Sequence, residues 1–230
     1  MTVGFDVISD LALSPEDSFN WAGKAESLYC IIAGNISNDL RTIQQTLVHL
    51  SHFYQGVFYV TGDLEYENVP NISARSRDIA VMCQNIRNIS LLYNHVVIID
   101  GVAVMGANGW YGHHASDDLI KAALVEGRQF DDVTYLGQSL DRLQLHLDVK
   151  KIIVVTHSVP GPDLYFGEED MDIYDQMPPS TCLVNDTMKK VTHWVFGRYN
   201  KEVDTTINGI NYVNNSYFKR SPYWAKRINV

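Results

Sequence analysis

Long apolar runs are missing from this 230-residue chain. None approaches the ~20 residues that span a bilayer as a helix, so no membrane-spanning helix is expected. Cysteine is scarce: Cys30, Cys83 and Cys182 are odd in number and lack metal-ligand spacing. That excludes a disulfide framework or a zinc knuckle and points to reduced thiols. Positive charge is also short, with 18 Lys and Arg against 27 Asp and Glu and a net charge of −9. Nonspecific binding to nucleic acid or to an anionic membrane depends on clustered basic residues and is not expected. The one modest basic group, Lys219, Arg220, Lys226 and Arg227, reads as a solvated tail. Walker A, the Gly-rich dinucleotide fingerprint and G-x-S-x-G are absent, so neither those nucleotide sites nor a triad built on His157, Ser158 and Asp163 is supported. Strand-like residues begin at Val3, which leaves no room for a signal peptide. A cytoplasmic location follows as the expectation.

What the chain does have is enough apolar material, 46% of its residues, to fill one α/β core, and 1–230 is expected to be one domain. No internal repeat, low-complexity tract or interdomain linker interrupts it. Leu28 to Ala33 reads as a buried strand ending at Gly34-Asn35, and Val57 to Thr61 as another ending at Gly62-Asp63. Between them, Asn38 or Asp39 can cap a helix that gathers Leu40, Ile43, Leu47, Leu50 and Tyr54 on one face. A second helix is expected from near Ser73 with Ile79, Met82 and Ile86 inward, and a third through Leu140, Leu143 and Leu147. Asp100-Gly101 and Asn208-Gly209 each separate two strand-like runs, the signature of a tight hairpin.

Five short segments carry the chemistry: Asp10-Leu11-Ala12, Gly34-Asn35, Gly62-Asp63-Leu64-Glu65, Thr156-His157 and Gly197-Arg198-Tyr199-Asn200. In order and spacing they resemble the D-x-H, G-D, G-N-H-[DE], isolated His and G-H-x-H motifs of the calcineurin-like metallophosphoesterases. The resemblance implies an α/β four-layer sandwich, two mixed β-sheets flanked by helices, with the motifs at the carboxyl ends of strands. It also implies two metal sites: one at Asp10, Ala12, Asn35 and Asn200, the other at Asn35, Asp63, His157 and Arg198.

Most of those positions no longer suit a metal. A bridging carboxylate offsets the repulsion of two dications about 3.5–4 Å apart, and the neutral amide of Asn35 supplies no charge. Ala12 has no donor atom, and Asn200 offers a weak neutral oxygen where transition metals favour imidazole. Guanidinium cannot act as a ligand. An Arg198 charge ~4 Å from a dication, at an effective dielectric of ~20, is repelled by about 8 kcal/mol. Leu64 stands where the family has a His that protonates a leaving group, and it can neither titrate nor hydrogen-bond. The expected arrangement is that Arg198 replaces the cation and pairs with Asp63 and with Asp10.

The other histidines read as structural or solvated. His49 and His52 share a helix face without a carboxylate, His95 and His193 flank strands, and the adjacent His113 and His114 rarely converge on one ion. Residues 160–179, rich in Pro and acid, form the least regular stretch and a candidate site-mouth loop.

The leading expectation is a metallophosphoesterase-like pseudoenzyme with no catalytic residue and no cofactor. It acts as a structural or protein-binding subunit, by self-assembly or with a protein partner, in the cytoplasm or as a component of a virion assembled there. Tyr217, Phe218, Tyr223 and Trp224, aromatic side chains among basic ones, are the candidate partner-facing surface. Two alternatives stay open. One is a residual phosphomonoesterase or phosphodiesterase with a single Mn²⁺ on Asp10, Asp63 and His157, aided by Asn35 or Asn200. The other is a module in which Arg198 and His157 hold a phosphorylated ligand without hydrolysing it.

Overall fold

Side chains alternate across a strand with period two, so each strand's odd and even residues serve different layers. In β1 (Gly4–Ile8), β2 (Tyr29–Ala33) and β3 (Gly56–Val60), the residues Phe5, Val7, Ile31, Ala33, Phe58 and Val60 face one way. Ile8, Cys30, Ile32, Val57 and Tyr59 face the other, onto α1 (Leu40–Ser51) and α2 (Ile72–Gln84). Three further strands follow the same rule: β6 (Val102–Ala107), β7 (Lys151–Thr156) and β8 (Val191–Phe196). Their Val104, Ile153, Val155 and Val195 meet the first set in a dry layer between sheets. Met105, Ile152, Val154, Trp194 and Phe196 turn outward onto Leu136, Leu140 and Leu143 of α3 (Leu119–Leu145).

The result is helices, sheet, sheet, helix: the four layers expected from the motifs. This computed structural model describes residues 2–110, 119–161, 164, 189–217 and 222–230. The first sheet runs β11-β1-β2-β3-β4, with β4 at Ile89–Leu91 and β11 at Lys226–Asn229. β1 to β4 are parallel and β11 lies antiparallel to β1. The second runs β5-β6-β7-β8-β10-β9, with β5 at His95–Ile99, β9 at Val203–Ile207 and β10 at Ile210–Asn214. Its two edge pairs are antiparallel hairpins around a parallel centre. Among the described residues no helix is long and apolar enough to cross a membrane.

Local chemistry explains the boundaries. Asp39 caps α1 by accepting from the amide of Thr42 at 2.7 Å, and Asn71 caps α2 through Ala74 at 2.9 Å. Both hairpin turns take the left-handed pair their Asp-Gly and Asn-Gly sequences allow, with φ of 48° and 82° at Asp100-Gly101 and 52° and 81° at Asn208-Gly209.

Two expectations need correcting. Leu147 does not share the buried face of α3; it is 85% exposed, because the helix stops at Leu145 and the chain turns so that Val149 fills the core. Tyr223 is not a surface residue. It is 5% exposed, packs on Trp21 and Tyr217, and its hydroxyl donates to the carbonyl of Asn215 at 2.5 Å. The cause is β11, which folds back onto β1 and carries the preceding aromatic segment into the first core. Tyr217 is half-buried there, Trp224 remains 54% exposed, and Phe218 lies outside the described residues.

Candidate functional site

Parallel strands gather their carboxyl ends on one edge, and ligands of α/β sheets collect there. Five strands deliver the motif loops to that edge: β1 brings Asp10, β2 Asn35, β3 Asp63, β7 His157 and β8 Arg198. The strand pairing continues into the loops, with the amides of Asp10 and Ala12 donating to the carbonyls of Gly34 and Asn35 at 3.0 and 2.9 Å. Asp10, Ala12, Asn35 and Arg198 all adopt positive φ, at 52°, 46°, 58° and 63°. For Ala and Arg that conformation costs about 1–2 kcal/mol and persists only where surrounding contacts enforce it.

Glycine makes the close approach possible. A Cβ on Gly197 would stand 2.2 Å from the Ala33 carbonyl and 2.7 Å from His157 Nδ1, and one on Gly62 would stand 2.2 Å from Asn35 Oδ1. The space a larger residue would fill is already taken by polar atoms of the site.

Those atoms bond to one another. His157, 1% exposed, has Nδ1 2.8 Å from the Ala33 carbonyl and Nε2 2.8 Å from Asp63 Oδ1. A carbonyl and a carboxylate only accept, so both ring nitrogens donate and the ring is an imidazolium. Burial works against that charge, but the bond to Asp63, the Asp63 charge and the Asp10 charge outweigh it and push the pKa up to about 9. The other Asp63 oxygen accepts from Arg198 Nη1 at 2.5 Å. Burial raises the Asp63 pKa, yet the hydrogen bond and charge of His157 and the charge of Arg198 prevail and hold it well below the carboxylate range. Asp63 nonetheless keeps 42% of its side-chain surface exposed, and so closes the cluster at its mouth.

Asp10 faces the same cluster from the opposite loop. It accepts from the Arg198 amide at 3.0 Å and from Asn35 Nδ2 at 3.2 Å, and burial raises its pKa against the pull of His157. Asn35 therefore works as a linker, since its Oδ1 also accepts from the Leu64 amide at 2.9 Å. Aspartate could not make the first of those bonds, because it has no proton to give. Leu64 is half-buried, its side chain serving the loop rather than any proton transfer. Ala12 contributes only backbone, and Asn200 is exposed two residues beyond Arg198.

The role of one residue of the site escaped the sequence reading. Glu65, fully buried, accepts from the amides of Asn35, Ile36 and Gly62 at 3.1, 2.7 and 2.8 Å and from the Tyr59 hydroxyl at 2.8 Å. It ties the second loop to the third. The signal was available: Glu65 occupies the acidic position of the third motif, beside Asp63 and Leu64.

The donor set does not fit a divalent ion. His157 offers no lone pair, Arg198 is a fixed cation, and both Asp63 oxygens are bonded to them. With Glu65 counted, three carboxylates face two cations, and the single negative charge in excess is already committed to bonds from the Asn35, Ile36 and Gly62 amides and the Tyr59 hydroxyl. Among the described residues, no group of three His, Cys, Asp or Glu side chains is placed to hold a metal. The helical His49 is used otherwise, its Nε2 accepting from the Trp21 amide at 3.0 Å. His95 is exposed at the start of β5 and His193 half-buried in β8. Cys30 and Cys83 are buried free thiols. Cys182, His113, His114 and most of 160–179 lie outside the described residues.

No family model matches the chain. It is 24% identical over 218 residues to the uncharacterized protein L509 of Acanthamoeba polyphaga mimivirus, covering 79% of this chain and 75% of that one. Among solved structures, it superposes on the phosphopantetheinyl hydrolase PptH of Mycobacterium tuberculosis with a TM-score of 0.61, 15% identity and coverage of 97% and 95%. A putative 5′-nucleotidase of Staphylococcus aureus gives a TM-score of 0.58 at 11% identity, over all of this chain and 51% of that one. GAP50 of Plasmodium, described as the anchor in the inner membrane complex, gives 0.54 at 12% identity over 93% and 71%. The chain has the metallophosphoesterase-type fold.

Proposed function

We propose that the chain is a metallophosphoesterase-fold pseudoenzyme, metal-free and without hydrolytic activity, that serves as a structural or protein-binding subunit of a larger assembly. The observation that carries this reading is the closed cluster of Ala33, His157, Asp63 and Arg198, in which an imidazolium and a guanidinium occupy two positions that the motif resemblance assigns to metal ligands. Such a cluster ties the carboxyl ends of β2, β3, β7 and β8 together without a cofactor. It favours stability and shape over turnover, because both His157 ring protons and both Asp63 oxygens are committed to bonds inside the cluster. The non-enzymatic half of the reading draws support from GAP50, a protein of this fold described as an anchor. Large apolar side chains on the surface, Phe130 at 72% and Trp224 at 54% exposure, are available for contacts. The mimivirus relative supports a setting in a virion or in the cytoplasm where one is assembled.

Calorimetric titration of chelator-stripped protein with Mn²⁺ tests the metal-free state, on the wild type and on Arg198→His. No binding by the wild type tighter than about 1 mM is expected, whatever the variant does. Tight binding, together with chelator-sensitive hydrolysis of 4-nitrophenyl phosphate, would show the residual phosphoesterase instead.

A further inference from the structure

A cavity of about 460 Å³ opens beside the β3 loop, between α2 and Arg128 of α3. Its size lies within the range of small-molecule pockets, about 300–1,000 Å³. The floor is apolar: Val60 and Leu92 are 1% exposed, and Leu91 and Ala80 complete it. One wall is a chain of hydroxyls. Thr61 Oγ1 is 3.2 Å from the Tyr66 hydroxyl, Ser76 Oγ donates to Tyr66 at 3.3 Å, and Arg128 Nη1 donates to Ser76 Oγ at 3.1 Å.

Two arginines line this space in a chain of net charge −9. Among the described residues, neither Arg128 nor Arg77 has a carboxylate within salt-bridge distance. Arg128 is nonetheless held in place, by Ser73 Oγ at 3.2 Å, by Ser76 Oγ, and by the Trp110 ring, whose centroid is 5.8 Å from the guanidinium carbon. Trp110 in turn packs on Tyr66 at 4.8 Å. A guanidinium fixed by neutral partners and a ring keeps its charge available and loses little entropy on binding an oxyanion. Asp132, one turn along α3, interacts with Arg128 through its charge but makes no ion pair with it, its carboxylate accepting instead from the Gly109 amide at 2.9 Å.

We propose that this cavity is a binding site for a small molecule that carries an oxyanion on a flat apolar body, the anion meeting Arg128 and Arg77 and the body lying on Val60, Leu91 and Leu92. The site uses none of the His157 cluster, so it stands whether or not that cluster is catalytically silent. Asn108 connects the two, its Nδ2 donating to the Thr61 carbonyl at 2.7 Å and so bracing the loop that leads to Asp63.

Two fluorescent probes with the same ring system test it: 8-anilinonaphthalene-1-sulfonate, which carries the anion, and N-phenyl-1-naphthylamine, which does not. Saturable binding at a single site is expected, with the sulfonate at least ~10-fold tighter than the amine. Arg77→Gln with Arg128→Gln should erase that difference and leave the amine's affinity unchanged, while Ala80→Trp, which fills the floor, should remove both. The paired arginine variant changes an exposed and a hydroxyl-bonded side chain, and its circular dichroism should match the wild type. Equal affinity for the two probes, or sulfonate binding untouched by the loss of both arginines, overturns the site. Displacement of the sulfonate by 1-naphthoate or by 1-naphthyl phosphate supports it, and the stronger competitor names the head group; displacement by neither overturns it.

Discussion

His157 and Asp63 lie 94 residues apart in sequence and 2.8 Å apart in space, and the Ala33 carbonyl on the other ring nitrogen forces the imidazole to keep both protons. The His157 pKa is raised from 6.5 to about 9. Its contribution to stability is therefore complete below pH 6.5 and lost as the pH rises through about 9. Asp63 has the opposite sign: its pKa is lowered from 3.8, so its contribution is present above that value and lost as the pH falls further. The melting temperature should fall between pH 7 and pH 10, and nitrogen-correlated spectra of the His157 ring at pH 7.5 should show both nitrogens protonated. A ring that loses a proton below pH 7 would remove the imidazolium and with it the metal-free reading.

Asn35→Asp tests the linker. The change is isosteric, yet it removes the donor to Asp10 Oδ1 and puts a second carboxylate about 3 Å from the first. In the presence of chelator, the variant should lose about 1–3 kcal/mol of unfolding free energy in urea at pH 7. Part of the loss should return as the pH is lowered from 7 to 5, because burial already raises the Asp10 pKa and a second carboxylate beside it favours uptake of a shared proton further. A variant as stable as the wild type at both pH values would mean that Asn35 is not linking the loops.

Gly197 and Gly209 separate packing from backbone strain. An added methyl at Gly197 meets the Ala33 carbonyl at 2.2 Å and His157 Nδ1 at 2.7 Å, both anchored, so Gly197→Ala should cost more than about 3 kcal/mol. At Gly209, φ is 81° and nothing lies within 4 Å, so alanine there should cost only about 1 kcal/mol of left-handed strain. Equal losses, measured by the same urea titration, would show that the site is looser than its distances imply.

The layers were legible because period-two alternation and two X-Gly turns are local signals, and the motif loops because their order survives substitution of the ligands. The pairing of Arg198 with Asp63 was legible once the motif resemblance put both at one site, since a guanidinium there repels a dication and draws a carboxylate. The third motif marked Glu65 as an acid of the site, but its role as a tie was not legible, because its partners Asn35, Ile36 and Gly62 come from two separate loops. Tyr223 was misjudged for a related reason. Its surroundings depend on β11 pairing with β1 across more than 200 residues, and a run of aromatic and basic residues looks the same whether it folds inward or outward.

That strand changes how the partner surface has to be tested. Deleting everything after Asn215 removes β11, whose Ile228 is 5% exposed, together with Tyr223, and breaks the paired bonds between Val3 and Val230 at 2.8 and 2.9 Å. It also bares the edge of β1, and an uncovered edge is a template for aggregation. The truncated chain should melt more than about 10 °C below the wild type or aggregate outright, so its failure to assemble would say nothing about a partner. Trp224→Ala is the cleaner probe. Its backbone carbonyl, which accepts from Asn215 Nδ2 at 3.0 Å, is untouched, and its ring is more than half exposed. The variant should melt within about 2 °C of the wild type, and sedimentation should then show assembly reduced if the ring is a contact. A truncated chain that melts like the wild type would show that β11 is not holding the first sheet, and would return Tyr223 to the surface.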